Sequence, residues 1–127
     1  MISTTTVMRG ALTVGAVYNW SAALMLLFPG SLGRLLDLPA PGSSFYVWML
    51  AFFIGLFGGV YAWQAWRPDI DRPIIAVAVI GKLGVFAVAA LAWLAAEVSF
   101  AVVVLTIGDL LFALVFLWWY LLPSRMA

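Results

Sequence analysis

IIAVAVIGKLGVFAVAALAWLAAEVSFAVVVLTIGDLLFALVFLWWYLL, residues 74–122, holds two apolar runs of about 23 residues on either side of Glu97 and Val98. Each run contains one charged residue, Lys82 in the first and Asp109 in the second. A helix rises about 1.5 Å per residue, so either run crosses a hydrocarbon core of about 30 Å. The short polar break leaves room only for a tight turn, which predicts two adjacent antiparallel membrane helices.

Working outward, two more apolar segments precede this hairpin. The spans read as residues 9–28, 44–66, 74–96 and 99–122. Phe28-Pro29-Gly30 ends the first, because proline cannot continue the helix and glycine accepts a turn. In residues 31–38 leucines recur between Arg34 and Asp37, the pattern of a short interfacial helix. Trp63, Trp66 and Arg67 close the second span before a polar connector, Pro68 to Pro73, and Pro73 suits the first turn of the third helix. The first segment is too long, and lacks an A-x-A site, for a cleaved signal peptide.

Composition agrees. Of 127 residues 67% are hydrophobic and 9% charged, far from the balance of a water-soluble domain. Six Lys/Arg against five Asp/Glu leave a charge of +1, which supplies no field for nucleic acid. The chain has no histidine and no cysteine, so thiol chemistry, disulfides and the usual zinc ligand sets are excluded. Neither a metal site nor a cofactor is expected. Arg9, Arg67, Arg72 and Arg125 fall at one level and Arg34 alone at the other, which orients the first group to the cytoplasm. The expectation is one all-α integral membrane domain over residues 1–127, an up-down-up-down four-helix bundle with both termini cytoplasmic.

Polar groups inside such helices must face protein or a cavity, since an ionisable side chain at a helix centre costs about 2.5 to 3.5 kcal/mol. Asn19, Lys82, Thr106 and Asp109 are therefore the candidate polar cavity, with Tyr18 and Tyr61 bringing hydroxyls to similar depth. Asn19 and Asp109 both lie roughly 15 Å from the outer ends of their helices. Three readings stand for Lys82: pairing with Asp109, snorkelling toward the cytoplasmic interface, or lining a ligand cavity. A depth offset of roughly 5–6 Å separates the pair, a gap that a lysine can span. Asp109 is either a carboxylate that titrates or meets a ligand, or a packing group satisfied by Lys82, Asn19 or a tyrosine. Gly55 and Gly59 form a G-x-x-x-G pair that permits close helix approach, and Gly81 and Gly84 flank Lys82. The acidic pair Asp69 and Asp71 reads as a soluble loop.

The four spans, Asn19-Trp20, the glycines Gly55, Gly58 and Gly59, Gly81-Lys82-Leu83-Gly84 and Gly108-Asp109-Leu110-Leu111-Phe112-Ala113 together resemble small bacterial four-helix inner-membrane proteins of the DoxX-like kind. The resemblance is architectural and implies an accessory or binding role in the bacterial inner membrane, with no catalytic motif to transfer. The leading expectation is a small multi-pass binding or accessory subunit with an intramembrane polar cavity for a lipid or other apolar ligand. Membrane lipid, a second copy or a membrane-protein partner are the expected company. One alternative is an oligomeric transporter or channel for a small molecule or ion. The other is a lipid-modifying enzyme, disfavoured because no nucleophile or metal cluster is evident.

Overall fold

The structure, a computed structural model, describes residues 1–35 and 42–125. Four long helices are present: α1 (Thr4–Leu27), α2 (Ser44–Trp66), α3 (Arg72–Leu94) and α4 (Phe100–Leu121). At 22 to 24 residues each is long and apolar enough to cross a membrane. At most 28% of the residues in each apolar window are buried in the protein, and the exposed remainder includes Leu50, Phe52, Ile80, Val88 and Leu111. Such a surface suits hydrocarbon, and the protein is a membrane-spanning four-helix bundle.

Local chemistry sets the helix ends. α1 starts five residues before the expected Arg9, because the Ser3 hydroxyl caps it by accepting from the Thr6 amide at 3.1 Å. It stops at Leu27, and Pro29 opens a single π-helical turn, Pro29–Gly33. Arg34 and Leu35 continue helically, while the rest of the expected interfacial helix over 31–38 lies outside the described residues. α2 ends where Arg67 turns extended ahead of Pro68. Pro73 sits in the first turn of α3, where its missing N–H costs nothing.

α3 ends two residues before the expected Ala96. The amides of Ala96 and Glu97 donate back to the carbonyls of Trp93 and Ala92, each at 2.9 Å, closing a Schellman motif. Ala96 occupies its left-handed position at φ 60°, where glycine is the usual residue.

The helices associate as a row: α2 against α1, α1 against α4, and α4 against α3. The backbones of α2 and α3 do not approach each other closely. Along the first seam Arg9 reaches Ala65, and Gly55 faces Ala23. Met8, Leu12, Ile75 and Phe116 are fully buried at the end of the bundle that holds the α2–α3 connector, with Ala16, Ala65, Ala78 and Trp119 around them. Arginines close this end. Arg9 donates to the carbonyls of Ala65 at 2.6 Å and Pro68 at 2.8 Å, and Arg72 donates to those of Tyr120 and Leu122, so each cation covers the carbonyl terminus of a neighbouring helix. At the opposite end the core gives way to a cleft.

Candidate functional site

Lys82 is the centre of the polar layer. Only 3% of its side chain is exposed, and its ammonium donates to Asp109 Oδ1 at 2.7 Å and to Asn19 Oδ1 at 3.0 Å. The direct pair is thus the observed arrangement, and the lysine joins α1, α3 and α4 through one cation. Asn19 passes the connection on, its amide donating to the Ile54 carbonyl of α2 at 3.2 Å. The remaining surroundings of the ammonium are aromatic. The rings of Tyr18, Tyr61 and Phe112 stand 5.3, 5.4 and 5.3 Å away, within range of cation–π attraction.

Around this layer the helices approach through glycines. A Cβ at Gly108 would lie 2.6 Å from the Tyr18 ring, and one at Gly58 would lie 2.6 Å from the Trp20 indole. Both rings are tethered. The Tyr18 hydroxyl donates to the Leu105 carbonyl, and the Trp20 indole donates to the Gly55 carbonyl at 3.1 Å. Gly55 itself faces Ala23 at 3.9 Å, in ordinary contact. Gly59, Gly81 and Gly84 have open space where a Cβ would stand, so the tight approaches fall at Gly58 and Gly108 instead.

Beside the layer lies a cavity of about 480 Å³, inside the usual range for small-molecule sites. All four helices contribute to it: Met25 from α1, Phe53 and Phe57 from α2, Val85 from α3 and Leu105 from α4 form apolar wall. The six polar residues expected from the sequence, Tyr18, Asn19, Tyr61, Lys82, Thr106 and Asp109, all line it, and so does Gly81. Thr106 turns its proton inward, donating to the Val103 carbonyl at 2.8 Å. A second cavity of about 220 Å³ continues along the α2–α3 seam, between Phe57, Val60 and Tyr61 on one side and Pro73, Ile74 and Val77 on the other. The opening follows from the row of helices, because the α2–α3 seam has no close backbone contact to seal it.

Three features escaped the sequence reading. Phe112 completes the aromatic cage. Gln64 is fully buried, its amide donating to Asp71 Oδ2 at 3.1 Å while its carbonyl accepts from the Asp71 amide at 2.8 Å. That clamp holds the connector, and the seven-residue spacing across Pro68 gave no periodic signal. Trp20 is a tether through its indole N–H, a role that its residue type did not single out. No protein-family model matches the chain, and neither does any curated protein or solved structure.

Proposed function

We propose that this protein is a small accessory or binding subunit of the bacterial inner membrane that holds a lipid or other apolar ligand in the cleft between α2 and α3. The carrying observation is the cavity of about 480 Å³, apolar along its walls and polar at its base, beside a seam where two membrane helices leave each other. A solute dissolved in the bilayer reaches such a site sideways without crossing water. The architectural likeness to DoxX-like proteins agrees with an accessory role.

The same reading takes the chain as one integral membrane domain, up-down-up-down, with both termini and the α2–α3 connector cytoplasmic. Support comes from Arg9, Arg67 and Arg72 at the connector end, since positive charge is retained inside. On intact cells a membrane-impermeant maleimide should then label Gly42→Cys and spare Asp69→Cys.

Native mass spectrometry after extraction in mild detergent tests the ligand. The wild-type protein should carry a lipid-sized adduct, and Ala22→Trp, which fills the cleft, should lose it. Identical spectra for the two proteins would remove the reading.

A second reading, ion-coupled transport by an oligomer, draws on the cleft-facing carboxylate of Asp109. It requires Asp109→Asn to stop flux in proteoliposomes while the assembly stays folded.

A further inference from the structure

The cleft has two hydrogen-bonding positions that the protein leaves open. Tyr61 is only 2% exposed and lines both cavities, yet its hydroxyl has no hydrogen-bond partner among the described residues. A hydroxyl that opens on an apolar cleft in the membrane without a partner costs about 1–3 kcal/mol, which a ligand would recover. The second position is Asp109 Oδ2. Its one hydrogen-bonding neighbour among the described residues is the Tyr18 hydroxyl at 3.4 Å, whose single proton is taken by the closer Leu105 carbonyl.

These two groups flank one ammonium, for Lys82 lies 5.4 Å from the Tyr61 ring and 2.7 Å from Asp109 Oδ1. The charge of Lys82 is already matched by Asp109, two of its three protons are directed to Asn19 and Asp109, and three rings stand within 5.4 Å of it. An entering molecule therefore meets a phenol that donates and a carboxylate oxygen that accepts, beside an ion pair already neutral. An anionic headgroup would add a net negative charge beside the carboxylate of a pair that is already neutral. An ammonium would leave a net positive charge in hydrocarbon, at high desolvation cost. A hydroxyl has the chemistry for both positions, since it can accept from one and donate to the other.

We propose that the cleft binds a neutral, hydroxyl-bearing amphiphile, such as a long-chain alcohol or a diacylglycerol, whose hydroxyl accepts from Tyr61 and donates to Asp109 Oδ2. The proposal rests on the apolar-ligand reading above and names the headgroup that reading leaves open.

The full chain, reconstituted in phosphatidylethanolamine/phosphatidylglycerol vesicles, is exposed to three photoactivatable probes with the same sixteen-carbon chain: an alcohol, a carboxylic acid and an amine. Labelling at the cleft residues Ile54 and Leu105 is compared with labelling at the outward-facing Leu111. The alcohol should label the cleft most strongly, and unlabelled hexadecanol should displace it. Tyr61→Phe keeps the ring contacts with Phe116 and Lys82 and should lower cleft labelling by the alcohol about fivefold, the worth of one hydrogen bond. Equal or stronger cleft labelling by the acid or amine, or no change in Tyr61→Phe, overturns the headgroup assignment and leaves the apolar-ligand reading standing. Cleft labelling no higher than at Leu111 for all three probes overturns both.

Discussion

The ammonium of Lys82 lies 2.7 Å from Oδ1 of Asp109, with 3% of the lysine side chain and 13% of the aspartate side chain exposed. Removing one partner leaves the other charged in a medium that solvates it poorly. Lys82→Met and Asp109→Leu should each destabilise the bundle by about 3–5 kcal/mol. The double variant should recover most of that loss, because no lone charge remains. Unfolding curves in mixed micelles measure the cycle, and additive losses would mean that the two residues act independently.

The close approach at Gly108 makes a second prediction. Gly108→Ala places a methyl against the tethered Tyr18 ring and should cost about 1–3 kcal/mol by overpacking. Gly59→Ala meets open space and should be neutral, or stabilising by up to about 1 kcal/mol through helix propensity. Equal losses at both positions in the same unfolding assay would contradict the packing described.

At the α3–α4 turn the direction reverses. Ala96→Gly relieves a left-handed backbone and should raise stability by about 0.5–1 kcal/mol, read as a higher midpoint of thermal unfolding. A lower midpoint would show that the turn does not need this conformation.

The connector separates a buried contact from an exposed one. Gln64→Leu leaves the Asp71 amide without its partner and the carboxylate with Arg67 alone, and should cost about 1–3 kcal/mol. The Arg67–Asp71 ion pair, at 3.0 Å, is about a third exposed on both sides, and Arg67→Ala should cost no more than about 1 kcal/mol. Protease accessibility of residues 67–71 in vesicles reports both, and greater exposure in Arg67→Ala than in Gln64→Leu would reverse the assignment.

Part of this was legible in the sequence for one reason: hydrocarbon punishes polarity, so the lone charges in apolar runs had to face protein or a cavity, though whether Lys82 paired with Asp109 stayed open until the helix rotations were known. Lys82, Asp109 and Asn19 followed from that requirement, and Tyr18, Tyr61 and Thr106 from depth. The tight glycines did not. Gly58 and Gly59 are neighbours of one type, and which of them faces α1 depends on rotation of α2 about its axis, which the sequence does not display. Gln64 was equally hidden, because it holds the backbone amide as well as the carboxylate of Asp71, and a backbone N–H has no signature in the sequence. The start of α1 was read late because its threonines look polar, while Ser3 gives them a capped helix to join.

Burial of the chain's only lysine also determines how the protein answers chemistry from outside. An acylating reagent aimed at primary amines finds the four helices without a reactive site while they stay folded. Adducts on Lys82 then count opened molecules, and their rate of appearance times how often the bundle comes apart in its bilayer.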